Sequence, residues 1–239
     1  FSKITSKSSE YIKECFDIAI SIMKKKRGYA LINGPISKKH FFHGRYNGIT
    51  EYLAHKTFES NNEVMLIYNK SLSVCPITTH IPLKEVSKKI SSKLILKKIL
   101  TINKFYKSKL GKIPKFAVTG LNPHCESNFI NSEEKKIIIP AIKKAQKKNI
   151  KIKGPFPADT MFIKNNLIKY DVVIGMYHDQ VLTPIKTLYN FNAINITLGL
   201  PFLRISPDHG PNNQMIGQNK SDPQSLISSI NFLKNLNEN

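Results

Sequence analysis

Short runs of consecutive apolar residues recur along this chain with helical patterns between them, and that alternation leaves few folds open. Runs at 64–68, 72–78, 116–119, 172–176 and 194–198 read as strands. Several are too continuously apolar to keep a wet face, as in a sheet covered on both sides. Helical patterns occupy 9–27, 50–58, 83–110, 132–148 and 222–236. The first carries Tyr11, Ile12, Cys15, Phe16, Ala19, Ile22 and Met23 along one side and stops at Gly28. A short strand at 29–32 follows it and breaks at Asn33-Gly34-Pro35. The pattern predicts an α/β protein with a largely parallel sheet, and no period of repeat-protein length competes with it.

No apolar run reaches the roughly 18 to 20 residues of a membrane span, and the start lacks the apolar core of a secretory signal, so a cytoplasmic, membrane-free protein is expected. Cys15, Cys75 and Cys125 are an odd number without C-x-x-C spacing, which indicates neither a disulfide framework nor a thiolate zinc site. The formal charge of +21 raises the question of nucleic acid. It comes from 34 Lys and only 3 Arg (Arg27, Arg45 and Arg204), whereas base recognition favours the planar fork of Arg. The densest stretch, 84–115, sets eleven Lys against Glu85 alone, yet Ile95, Ile99, Ile102 and Tyr106 repeat there at helical spacing. An amphipathic helix with a solvated Lys face is expected, and no specific nucleic-acid partner.

In open α/β sheets ligands bind beyond the carboxyl ends of strands. Three strand exits each deliver a histidine: His80 after 72–78, His124 after 116–119 and His178 after 172–176, out of seven histidines in all. Three neutral imidazoles at one sheet edge suit a divalent transition metal. The alternative is three separate hydrogen-bonded histidines at loop starts. A second group suits an anion: Lys186 eight residues beyond His178, Asn195 in the strand at 194–198, and Arg204 after a Gly-Leu-Pro turn. Arg204 could also cap carbonyls. Asp208-His209-Gly210 forms a polar loop before a helix-like start near Gln214, but no G-x-G-x-x-G or P-loop pattern accompanies it. Asp159 and Asp179 sit beside these exits, able to orient a histidine, move a proton or close a turn.

The blocks carrying these residues, Thr78 to Leu83, Gly120 to His124, Gly154 to Thr160, Met176 to Gln180, Asn195 to Arg204 and Pro207 to Gly210, resemble the PdxA family of pyridoxal phosphate biosynthesis, the 4-hydroxythreonine-4-phosphate dehydrogenases. The resemblance runs in one order from about Ala30 to the C-terminus. It implies an isocitrate/isopropylmalate dehydrogenase-like two-lobed α/β/α fold with an active-site cleft between lobes. On this reading residues 1–45 with 185–239 form the first lobe, lacking its N-terminal part, and 46–184 form the metal-binding, dimer-forming second lobe. The implied partners are a second copy, in a homodimer with a shared active site, and a small phosphorylated substrate. The implied reaction is NAD-dependent (or NADP-dependent) oxidation and decarboxylation of 4-phosphohydroxy-L-threonine. The implied metal is divalent, zinc first and magnesium or cobalt otherwise, on His80, His124 and His178, one of them crossing the dimer. Those three histidines, Asp159 and Lys186 are the implied catalytic residues. Thr50, Lys186, Asn195 and Arg204 are implied to bind substrate, and Asp208, His209 and Gly210 the cofactor.

The chain departs from the family pattern in three places. Ile49 stands where the family has a substrate-contacting histidine, the loop Cys125-Glu126-Ser127-Asn128 is shorter and poorer in Gly, and Pro211-Asn212-Asn213 replaces small residues. Ile49 leaves room for another four-carbon phosphorylated hydroxy acid of the threonate or erythronate type. Residue 1 is Phe, and the family's opening strand and Gly-rich turn have no counterpart, so an inactive fragment is the remaining alternative.

Overall fold

The computed structural model describes residues 6–37, 41–42, 45–46, 48–59, 62–125, 130–211 and 215–237. Its strands are β1 (Ala30–Ile32), β2 (Val64–Tyr68), β3 (Ser73–Pro76), β4 (Lys115–Thr119), β5 (Lys151–Phe156), β6 (Val172–Gly175), β7 (Ile194–Leu198) and β8 (Leu203–Pro207). The chain divides into two compact units, Phe1–Glu63 with Phe191–Glu238, and Val64–Asn190.

In the Val64–Asn190 unit the strand order is β2-β3-β6-β4-β5, with only the β2/β3 pair antiparallel. Parallel strands need crossovers, and helices supply them: Ser92–Lys109 between β3 and β4, and Ile139–Gln146 between β4 and β5. Val74, Cys75, Phe116, Val118, Val173 and Ile174 are fully buried, as the unbroken apolar runs require. Ile95, Ile99 and Ile102 turn inward from Ser92–Lys109, as their spacing predicts. The pattern expected over 83–110 is nevertheless broken. Ile90 and Ser91 are extended, and the Ser91 hydroxyl accepts from Leu94 N at 3.2 Å, so a new helix starts there. β5 escapes the apolar search because it pairs only with β4 and carries Lys151 and Lys153, which suit an open edge.

In the other unit β8 lies between β1, parallel to it, and β7, antiparallel to it. The helices Ser6–Lys24 and Ile49–Lys56 meet in a cluster of Phe16, Ile20, Phe42, Ile49, Tyr52 and Leu53. Rings pack edge-on there, Phe16 on Tyr52 at 5.6 Å and Tyr46 on Tyr52 at 5.4 Å. This packing places Ile49–Lys56 with the N-terminal helix, so the first division follows Glu63 where the sequence reading put it at 45/46. The second follows Asn190 rather than 184, because Lys186 lies inside the helix His178–Tyr189. The cysteines are free, and no described helix is long and apolar enough to cross a membrane.

Ile174 sits at the centre of the stacked layers with no exposed surface. Ile174→Ala should lower unfolding free energy by about 2–5 kcal/mol, read from urea denaturation, with the larger figure if the cavity cannot collapse.

Candidate active site

Because β3, β6 and β4 are successive parallel neighbours, their carboxyl ends fall on one edge of the sheet. Hydrogen bonds continue past the strands. Ile77 N donates to Gly175 O at 2.8 Å, and the Thr78 hydroxyl donates to Met176 O at 2.8 Å. The Gln180 amide completes the stitching. Its Oε1 accepts from Met176 N at 2.6 Å and from the Thr119 hydroxyl at 2.9 Å, while its Nε2 donates to Gly120 O at 2.8 Å.

This framework brings His80 and His178 together, with ring centroids 5.8 Å apart and planes 41° from parallel. His178 lies in no loop, contrary to the sequence reading; it is the first residue of the helix His178–Tyr189. A helix begins there because Tyr177 before it is extended and the polar His-Asp-Gln turn precedes Val181, Leu182 and Ile185, which are buried. Asp179 Oδ1 lies 2.6 Å from His178 Nδ1, an arrangement that orients the ring and leaves Nε2 for a ligand. Lys186 follows in the same helix, about two turns on.

His124 is positioned differently. It occupies the turn Pro123–Cys125 with a left-handed backbone, φ 56°, and is exposed. The approach to it is held by Glu134, which has no exposed surface. Glu134 Oε1 accepts from Leu121 N and Asn122 N, both at 2.9 Å, and Oε2 accepts from Asn122 Nδ2 at 2.9 Å. Burial pushes the Glu134 carboxyl upward, but the hydrogen bonds from Asn122 and Leu121 outweigh it and hold it below the ordinary value. Gly120 is required beside them, since a Cβ would lie 2.6 Å from Cys125 Sγ and 3.2 Å from Glu134 Oε1. Among the described residues no group of three His, Cys, Asp or Glu could hold a metal. One chain therefore pairs His80 with His178 and does not add His124 to them. Glu126 to Asn128 lie outside the described residues.

Asp159 is exposed, and its Oδ1 accepts from the adjoining Thr160 N at 2.9 Å, a turn-closing bond.

The second group lies on β7 and β8. Their antiparallel register sets Thr197 opposite Arg204 and Asn195 opposite Ser206, so all four share one face. Arg204 is 3% exposed, with Nε donating to Asn33 Oδ1 at 2.8 Å and Nη1 to Thr197 Oγ1 at 3.0 Å. Burial pushes its guanidinium down to about 10, partly opposed by the charge of Glu51, so it remains a cation at neutral pH. Thr50, in the first turn of Ile49–Lys56, sits 3.3 Å from Thr197 Oγ1. Asn195 Oδ1 is buried with no hydrogen-bond partner among the described residues. Thr50, Asn195 and Arg204 thus lie close together. Asn33, Thr197 and Glu51 join them unannounced, although the alternation Asn195, Thr197 along one strand was a usable signal for the second.

After β8 the chain is anchored at its first residue. Asp208 is buried, and its N–H donates to the Ser225 hydroxyl at 2.9 Å. His209 is exposed, with Nδ1 3.1 Å from Gly210 O and its ring edge-on to Phe191 at 6.3 Å. Nothing lies within 4 Å of where a Gly210 Cβ would be. Asn212, Asn213 and the helix start expected near Gln214 lie outside the described residues.

Because the Glu134 carboxyl titrates below its ordinary 4.5 in the fold, its contribution to stability is complete above that value and lost as pH falls through the folded one. Glu134→Gln should flatten the acid decline of the urea midpoint below about pH 4.5 relative to the parent. Parallel declines in the two proteins would show that this carboxylate does not hold the loop.

A family model, "Pyridoxal phosphate biosynthetic protein PdxA", matches residues 1–233. A 4-hydroxythreonine-4-phosphate dehydrogenase of Sulfurihydrogenibium sp. is 42% identical over 96% of this chain and 70% of its own length. One of Bradyrhizobium diazoefficiens is 38% identical over 89% of this chain and 64% of its own, so the chain spans roughly two thirds of such relatives. The crystal structure of 4-hydroxythreonine-4-phosphate dehydrogenase from Klebsiella pneumoniae superposes with a TM-score of 0.82 at 31% identity, over 98% of this chain and 72% of that one. Isocitrate dehydrogenase of Methylococcus capsulatus, at 11% identity and a TM-score of 0.54, shares the fold alone. The strand exits with their histidines and the Arg204 face thus stand in a chain that belongs to the PdxA family, whose curated members named here are dehydrogenases.

Proposed function

We propose that this chain catalyses the NAD-dependent oxidation and decarboxylation of 4-phosphohydroxy-L-threonine in pyridoxal 5'-phosphate biosynthesis, as a cytoplasmic homodimer with a divalent metal on His80, His124 and His178. The observation that carries the reading is the His80–His178 pair, 5.8 Å between rings, held at one sheet edge in a member of this family. The donor set fits a metal of borderline softness. His178 has one nitrogen engaged by Asp179 and the other left over, and a third imidazole from a second copy would complete the set.

The residues divide the work by chemistry. Arg204 binds an anionic group of the substrate through charge-assisted hydrogen bonds, strengthened by its buried surroundings. Asn195 offers a buried carboxamide oxygen to a substrate O–H or N–H. Lys186, half-buried on the helix that His178 opens, adds a second cation. Asp179 keeps the His178 tautomer that presents Nε2. NAD, when bound, supplies the acceptor for the hydride of the secondary alcohol, and the metal supplies charge stabilisation at the substrate's oxygen. His209, with its exposed ring, is the member of the Asp208-His209-Gly210 loop placed to meet a cofactor, while Asp208 anchors the loop from within. The alcohol loses its hydride and hydroxyl proton, and the β-keto acid so formed releases carbon dioxide and takes a proton at carbon.

Ile49 favours a second reading, a related four-carbon substrate of the threonate or erythronate phosphate type. It is buried beside Phe16 and Tyr52 and offers no hydrogen bond.

NADH formation from 4-phosphohydroxy-L-threonine and from threonate 4-phosphate, each with NAD and zinc, separates the two. Turnover of the first alone is expected, and turnover of neither would sink both readings. Asp179→Asn should weaken zinc binding about 10–100-fold in competition with a chromophoric chelator. Unchanged zinc affinity would remove Asp179 from the metal centre.

A further inference from the structure

The hydroxyl of Thr50 has a fixed polarity, and the residues behind it set that polarity. An Arg side chain is donor-only, so the 3.0 Å contact between Arg204 Nη1 and Thr197 Oγ1 makes the Thr197 oxygen an acceptor. Thr197 is 1% exposed, and its own hydroxyl hydrogen must find an acceptor inside the protein. Among the described residues its remaining hydrogen-bond partner is Thr50 Oγ1, 3.3 Å away. Thr197 therefore donates to Thr50. Thr50 then accepts, and its single hydrogen points away from Thr197.

Arg204 is itself fixed for this purpose. Asn33 Nδ2 donates to Gly34 O at 2.9 Å, which settles which way the Asn33 amide faces. Its Oδ1 then receives Arg204 Nε at 2.8 Å. Arg204 thus donates on both sides, to Asn33 and to Thr197, and Thr197 in turn donates to Thr50.

We propose that Thr197 is a positioning residue that turns the buried Thr50 hydroxyl into a donor, so that Thr50 and Arg204 together select an oxygen that only accepts, such as that of a phosphate or carboxylate. The inference rests on the anion-binding role given to Arg204 and Thr50 above and adds the reason for its selectivity. A ligand offering an O–H or N–H between Thr50 and Arg204 would face two donor hydrogens, with only the second lone pair of Thr50 to receive it, and would bind less well there than an oxygen that accepts from both.

A double-mutant cycle tests it, with calorimetric binding of inorganic phosphate and of 4-phosphohydroxy-L-threonine as the readouts. Thr50→Ala and Thr197→Val should each weaken binding roughly five- to tenfold. In the double variant the losses should not add, leaving affinity within about twofold of Thr50→Ala alone. Thr197→Ser, which keeps the hydroxyl, should bind as the parent does. Thr197→Ala takes the place of Thr197→Val if the latter does not give the parent circular dichroism spectrum. Additive losses, or unaltered binding on removing the Thr197 hydroxyl, would overturn the relay while leaving the anion site standing. Unaltered binding in Thr50→Ala would remove Thr50 from the anion site and the relay with it.

Discussion

The amide of Gln180 is the constraint from which the histidine edge follows. A carboxamide has one oxygen and one NH₂, and here both ends are engaged, by Met176 N and the Thr119 hydroxyl on one side and by Gly120 O on the other. Parallel strands have no turn linking neighbouring exits; the main chain sets their spacing as far as Thr78 N on Met176 O, and beyond it side chains must hold the distance. The Gln180 amide supplies that distance between the ends of β4 and β6. Thr78, bonding Met176 O by its hydroxyl, supplies it between β3 and β6. His80 and His178 are near one another because these ties are short.

His124 depends on a separate anchor. Its turn is tethered through Leu121 and Asn122 to Glu134, an acid in a lysine-rich stretch whose burial is tolerated only because its oxygens are hydrogen-bonded. Two histidines thus share one rigid framework while the third is carried by another. That difference in attachment matches the finding that a single chain unites two of the three.

The framework was legible in the sequence where burial had erased polarity. β2, β4, β6 and β7 were visible as apolar runs because both faces of each are covered, and the histidines stood out because they follow such runs. β5 and β8 were missed because Lys151 and Lys153 on the edge strand, and Arg204 and Ser206 along β8, break the apolar pattern. The helix at His178 was missed because its first turn is made of polar residues that also suit a loop. Asn33 and Gln180 share another reason for remaining hidden. Their partners lie 171 and 60 residues away (Arg204 and Gly120), and a hydrogen bond between distant segments leaves no local periodicity.

Arg204 carries a consequence for the energetics of the whole unit. A guanidinium that is 3% exposed has given up most of its hydration when the chain folds, with Glu51 only partly opposing the resulting penalty. On the anion-binding role proposed for Arg204, a ligand anion would not have to strip that water again, so its own dehydration would be the main cost left to the encounter. On that proposed role an anion would relieve the electrostatic deficit left by burying Arg204, and folding and ligand capture would be two readings of one linked equilibrium.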